Sequence, residues 1–274
     1  MEGQTIKEDC TIDIVRIVRS RKGGEKVPGF LLRIIKRMIH QDFLNEFLSK
    51  GYTGAEFCRE AIRRLDIKEE IEGLENLKDI PEGAHCTFAC NHPLGGVDGV
   101  IMLDILLPFF DGKVRLLVND FLMSLKGLSP LCIPVNKTGG QSKGLASAVH
   151  GAFDSDNEML IFPAGQCSRK YDGIIQDREW SKTFVTESIR TGRYIVPVHF
   201  KAENSKRFYR VDRICRMLGI KFNLPMLLLP DELYRSQHKT IKVSIGKPVD
   251  SATLDPTKGA RALAQDLRTL AYTL

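Results

Sequence analysis

His92 and Asp98 stand close together in the run Asn91-His92-Pro93-Leu94-Gly95-Gly96-Val97-Asp98-Gly99, the stretch of this chain best equipped for chemistry. An imidazole held through Nδ1 by a carboxylate keeps one tautomer, and its Nε2 can then take a proton from a hydroxyl. Pro93 biases His92 away from helical geometry, and Gly95 and Gly96 let the chain turn back sharply. Asp98, placed in a first helical turn, can then reach the ring. Glycine amides of the same turn could stabilise an oxyanion. Taken alone, the pair also fits a loop histidine followed by a helix-capping aspartate.

A second run, Ile161-Phe162-Pro163-Ala164-Gly165-Gln166-Cys167-Ser168-Arg169-Lys170, ends a strand in a small, then basic, loop. It offers backbone N–H groups, a hydroxyl and two cations to an anionic group, or it is a Pro-Gly turn with exposed charges. Two nucleophiles compete with His92. Ser142 sits in Gly140-Gln141-Ser142-Lys143-Gly144, a G-x-S-x-G match, although Thr138-Gly139-Gly140 separates it from the preceding strand, where a nucleophile elbow must sit. Cys167 beside the basic loop could use His92 or His199 as base. A serine or cysteine lipid esterase or thioesterase is therefore the alternative, and a non-catalytic membrane-binding module a third. His40, His85, His150, His199 and His238 have no acidic residue at a comparable turn position and read as structural or surface groups. Trp180, among charges, fits either a lipid interface or the core.

The elements that must position these residues follow from hydrophobic periodicity. Short apolar runs at 87–90, 114–118, 131–135, 159–162, 195–200 and 241–245 read as strands, and amphipathic stretches at 98–107, 142–153, 179–190, 206–218 and 257–272 as crossover helices. This predicts a three-layer α/β/α fold with a largely parallel sheet. Residues 1–27 read as a polar lead-in and 28–80 as an N-terminal helical region; one helix is expected from Pro28 to Ser49 and another from Ala55 to Leu65. Residues 81–274 form the main domain. In the first helix Arg33, Lys36 and Arg37 interleave with Phe30, Leu31, Ile34 and Ile35, an amphipathic membrane-association segment suited to an anionic lipid surface. Residues 224–229, around Met226, are a second contact.

Bulk composition agrees with a folded chain of one main core: 274 residues, 43% hydrophobic, 27% charged, formal charge +6. Seven cysteines without a C-x-x-C pair or a cluster with histidine read as reduced thiols, and no metal site is expected. No signal peptide or membrane-spanning stretch is expected, and the mild basicity calls for no nucleic-acid partner.

His92 and Asp98 after Asn91, then Phe162-Pro163-x-Gly165 with Ser168-Arg169, then Val196-Pro197-Val198, resemble in order and spacing the glycerolipid (lysophospholipid) acyltransferase superfamily. The likeness covers roughly residues 84–200, with a similar strand ending Ile245-Gly246-Lys247-Pro248 beyond. It implies an O-acyltransferase of membrane lipid biosynthesis, with His92 as base, Asp98 orienting it, and Gly95 and Gly96 at the oxyanion. Lys137, Phe162, Pro163, Gly165, Ser168 and Arg169 would bind the acceptor. Acyl carrier protein or coenzyme A thioester is the implied donor, with no cofactor otherwise, and the inner face of the cell membrane the implied location. Five residues separate His92 from Asp98 where the family usually has four. Ala164 replaces the glutamate of Pro-Glu-Gly, Gln166-Cys167 replace Thr-Arg, and Lys137 replaces an arginine. These variants look like the hemolysin-like branch that acylates lyso-aminolipids such as ornithine or glycine lipids.

Overall fold

The structure is a computed structural model that describes residues 11–20, 24–118, 122–135, 142–220 and 223–274. Its helices are α1 (Ile14–Arg19), α2 (Gly29–Met38), α3 (Gln41–Leu48), α4 (Gly54–Leu65), α5 (Val97–Phe109), α6 (Ser142–Phe153), α7 (Thr183–Thr191), α8 (Lys206–Met217), α9 (Leu229–Arg235) and α10 (Ala260–Tyr272). Its strands are β1 (Lys68–Glu72), β2 (Cys86–Cys90), β3 (Val114–Val118), β4 (Cys132–Pro134), β5 (Glu158–Ile161), β6 (Arg169–Tyr171), β7 (Ile174–Gln176), β8 (Tyr194–Lys201), β9 (Thr240–Ile245) and β10 (Val249–Asp250).

Every apolar run expected as a strand is one. The main sheet runs β1-β9-β8-β2-β5-β3-β4, with β10 added on β8. Its pairings are parallel except β8 with β9 and β10 with β8. β2 is buried at all five positions, as a central strand covered on both faces must be. Phe88 packs in the cluster that holds α4 and α5, with Phe57, Ile62, Ile101 and Leu106. Its neighbour Ala89 faces the opposite layer, among Trp180 and Phe184 near α7 and Leu263 and Leu267 of α10. Successive residues of one strand therefore serve the two outer layers. Helix α5 is apolar on every side, and Val97, Ile101, Met102, Leu103 and Leu106 are all buried, which fits a helix enclosed between α4 and the sheet.

The N-terminal region departs from expectation in two ways. The single helix expected from residue 28 to 49 is broken into α2 and α3 at His40, whose φ of 50° is left-handed. Part of the supposed lead-in is helical: Asp13 caps α1 with its carboxylate, and Ile12 bonds to Asn45 of α3. The region also gives the main sheet its edge strand, since β1 pairs with β9 from Lys68 to Glu72. Its run Lys-Glu-Glu-Ile-Glu hides a strand behind charges, which suit an exposed edge.

Candidate active site

β2 and β5 lie side by side with Ala89 opposite Ile161, so the loops leaving their C-terminal ends meet. Such a meeting point is where open α/β sheets hold ligands. Asn91 closes the sheet there: its side chain accepts the Phe200 N–H at 2.6 Å and donates to the Phe200 carbonyl at 3.0 Å. The chain leaves the sheet at His92 in a fixed direction.

His92 Nδ1 lies 2.7 Å from Asp98 Oδ2. The N–H groups of Leu94 and Gly95 donate to the same oxygen at 3.1 and 3.0 Å. Main-chain amides can only donate, so this oxygen accepts from them, and an Nδ1–H donating to it as well would leave Nε2 as the ring's acceptor atom. Asp98 is fully buried, whereas the His92 side chain stays 17% exposed. The Phe162 ring stacks on the imidazole at 4.2 Å between centroids.

Between His92 and Asp98 the chain turns at Gly95, where φ is +84°. A Cβ there would come within 2.9 Å of Leu229 Cδ2 and 3.1 Å of Cys167 Cβ, so both conformation and space demand glycine. Gly96, at φ −162°, lies outside the left-handed region that favours glycine. The Gly95 N–H serves Asp98, so of the two amides expected at an oxyanion only that of Gly96 is left as a candidate.

The loop after β5 is built differently from expectation. Phe162 does border His92, and Gly165 turns the chain at φ +65°. Ser168, however, donates its hydroxyl to Asp177 at 2.6 Å, and its N–H to the His92 carbonyl at 2.8 Å. Arg169 is buried: its Nε pairs with Asp212 at 2.8 Å, and its other nitrogens donate to Cys167 Sγ and carbonyl and to Asn223. Its guanidinium also lies over the Phe208 ring. A cation so engaged has its donors taken up inside the protein, and both Arg169 and Ser168 are buried, unlike the open groups that the acceptor role expected of them calls for. Lys137 lies outside the described residues.

The rival nucleophiles fare poorly. Burial pushes the Cys167 thiol up, with Arg169 only partly opposing it, so the thiol form prevails. Among the described residues β4 ends at Pro134 and α6 opens at Ser142, and residues 136–141 between them lie outside the described residues.

Four other histidines also meet carboxylates: His40 with Asp231, His85 with Glu158, His150 with Glu187 and His238 with Asp66, at 2.7 to 3.0 Å. These partners come from distant sequence and could not be seen locally. Pairing alone therefore does not single out His92; what sets it apart among these pairs is a fully buried acid locked by amides, beside a partly open ring at a strand end. His199 is held below the ordinary histidine range by burial and Lys201. Sequence reasoning missed Asp177, Tyr272 and Asn204, whose amide donates to the Pro93 carbonyl. Asp177 beside Arg178 and Glu179 reads as surface charge; its only signal is Trp180, three residues on, which proves to be core.

A model of the acyltransferase family matches residues 18–274. A lyso-glycine lipid O-acyltransferase of Phocaeicola vulgatus is 49% identical over 267 residues, 96% of this chain and 95% of that protein. One of the same name from Bacteroides thetaiotaomicron is 45% identical, covering 96% and 97%. Among solved structures, the crystal structure of the 1-acyl-sn-glycerophosphate (LPA) acyltransferase PlsC from Thermotoga maritima shares the fold, with TM-score 0.51 and 16% identity, over 80% of this chain and 76% of that one. With its family matched from end to end of the folded region and close relatives over nearly full length, the chain belongs to the acyltransferase family, within the lysolipid acyltransferase superfamily, and is an enzyme that transfers acyl groups.

Proposed function

We propose that the chain moves a fatty acyl group from an acyl thioester to the hydroxyl of a lyso-glycine lipid, with His92 as general base and Asp98 orienting it. The observation that carries this reading is the His92–Asp98 pair at 2.7 Å, set where β2 and β5 end, in a chain whose relatives at 49% and 45% identity bear that activity in their names. His92 Nε2 removes the acceptor's hydroxyl proton as that oxygen attacks the thioester carbonyl. The C–S bond of the tetrahedral intermediate then breaks, and the imidazolium returns the proton to the departing thiolate. The Asp98 carboxylate stabilises that cation throughout. The products are an O-acyl ester and a free thiol, of coenzyme A or an acyl carrier protein.

The acceptor is a lipid, and the surface is suited to one. Phe30, Leu31 and Ile34 of α2 are exposed while Leu32 is buried beneath them. Arg33 and Arg37 are exposed on the same helix, and Lys36 is tied to Asp42. Near α9, Met217 and Leu218 at the end of α8 are 74% and 70% exposed, and Met226 and Leu227 are exposed beyond them. Met38 of α2 packs in one cluster with Phe208 and Tyr209 of α8, Leu228, and Cys167 beside the active-site loop. These apolar ends and their cations suit attachment to the inner face of an anionic membrane. Among the described residues no helix is long and apolar enough to cross one.

Lipid mass spectrometry on cells expressing the protein tests the reading. A glycine lysolipid should fall and its O-acylated product rise with the wild-type chain and not with His92→Ala. Identical lipid profiles for the two would refute it.

A further inference from the structure

Asp177, directly after β7, is a buried ionisable group that the acyl transfer does not use. Its Oδ1 accepts the main-chain N–H of His92 at 3.2 Å and the Ser168 hydroxyl at 2.6 Å, and its Oδ2 accepts the Trp180 indole N–H at 2.9 Å. Ser168 in turn gives its own N–H to the His92 carbonyl at 2.8 Å. His92, Ser168 and Asp177 thus close a ring of hydrogen bonds that grips both sides of His92's backbone. The ring is fastened from outside: the Asp177 N–H donates to the Tyr272 hydroxyl at 2.7 Å, and Arg268 donates to the Asp177 carbonyl at 2.6 Å, both from α10. The C-terminal helix therefore reaches the backbone that carries the base.

We propose that Asp177 is a positioning residue for the transferase reaction, a second buried carboxylate that fixes the backbone of His92 and sets negative charge beside the imidazolium formed in the transition state. This rests on His92 being the base. Burial pushes the Asp177 carboxyl above its usual range, while hydrogen bonds from Ser168 and Trp180 and then the charge of His92 pull it back, so each of these partners favours the ionised form. A carboxylate that accepts only from donors has no neighbour to take a proton of its own, which also favours ionisation. Other titratable groups around the loop are Asp98 of α5, Cys90 of β2, Cys167, His199 of β8, and Tyr272 and Arg268 of α10. Burial pushes up both thiols and the Tyr272 phenol, so these three stay neutral.

The test compares Asp177→Asn, Ser168→Ala and the double variant in steady-state kinetics, with thermal unfolding and the pH profile of kcat. Asp177→Asn should lower kcat about tenfold or more, with KM for acceptor and donor within about twofold, because positioning acts on the transition state. Its acid limb should move to lower pH, since one negative charge fewer disfavours the imidazolium. Ser168→Ala should lower kcat several-fold without moving the limb. The double variant should lose no more than Asp177→Asn alone, because both act through one ring. Losses that simply multiply, or an unmoved limb in a folded Asp177→Asn, would overturn the proposal. If Asp177→Asn does not fold, Ser168→Ala decides, and wild-type kcat there overturns it. His92→Ala separates this inference from the reading beneath it: turnover by that variant would remove the base itself, whereas an inactive His92→Ala beside a fully active Asp177→Asn would remove only Asp177's role.

Discussion

A histidine on a loop becomes a dependable base only when something fixes its tautomer and holds its backbone still. Here Asp98 does the first, and because it already accepts the Leu94 and Gly95 amides it cannot swing away to solvent. His92→Ala should lower kcat by about 10² to 10⁴, the usual range for a lost general base, with an unfolding temperature near wild type since the ring is partly exposed. Asp98→Asn should be severe in both respects, because its amide must turn an N–H toward one of three donors in a dry site. Arg169 gives the contrasting case. Arg169→Met breaks a buried pair with Asp212 and should lower the unfolding temperature, with Arg216 left as the remaining partner of that carboxylate. Thermal unfolding together with acceptor KM decides: a stable protein with a raised KM would restore the head-group role that the sequence suggested. That role looked natural because Ser-Arg after Phe-Pro-x-Gly is visible as a motif, whereas Asp212, which claims the arginine, lies on a helix far along the chain.

At the scale of elements, strands were legible and their neighbours were not. Parallel strands buried on both faces are continuous apolar runs, so β2 and β5 stand out, and the apolar positions of β3, β8 and β9 still set them off from the charges around them. β1 is an edge strand of mostly acidic residues, and the break between α2 and α3 depends on a left-handed His40 that no spacing rule marks. That break is pinned to α9: His40 stacks on Tyr234 and bonds to Asp231, which also holds Arg235 and Arg207. Burial works against the charged Asp231, yet hydrogen bonds from Arg235 and His40 outweigh it and keep its carboxyl below the usual range. A depressed carboxyl stabilises the fold above its unfolded pKa and loses that contribution as pH falls through the lower folded value. Hydrogen exchange in α2 and α3 should therefore quicken on acidification below about pH 4, and Asp231→Asn should show the same release at neutral pH. Exchange that ignores both changes would show that the pair does not anchor the helices. On α2 itself, Arg33→Gln with Arg37→Gln should weaken sedimentation with anionic liposomes by about 1 kcal/mol per cation, in a salt-sensitive manner. Equal binding to neutral and anionic liposomes would contradict the electrostatic attachment.

The whole molecule has a lysolipid acyltransferase fold whose proposed site lies at the end of the β2–β5 pair, with the C-terminal helix reaching it through Asp177. The order of motifs along the chain pointed to the proposed base and its orienting acid, because both belong to one short turn. It could not reveal Asp177, Tyr272 or Asn204, which converge on that turn from sequence 85 to 180 residues away and have only folding in common. The acceptor is a property of this whole assembly. With Arg169 engaged inside the protein, a phosphate head group lacks the charge-assisted hydrogen bond that this arginine would supply, a loss of roughly 1.5 to 3 kcal/mol, or about ten- to a hundredfold in preference. The most direct measurement is therefore the initial rate of O-acyl product formation by the purified protein on vesicles, with an acyl thioester donor and either a lyso-glycine lipid or lysophosphatidic acid as acceptor. The account predicts transfer to the lyso-glycine lipid at least about tenfold faster than to the phosphate acceptor, and loss of both on His92→Ala. Faster transfer to lysophosphatidic acid, release of free fatty acid without transfer, or undiminished turnover by His92→Ala would contradict it.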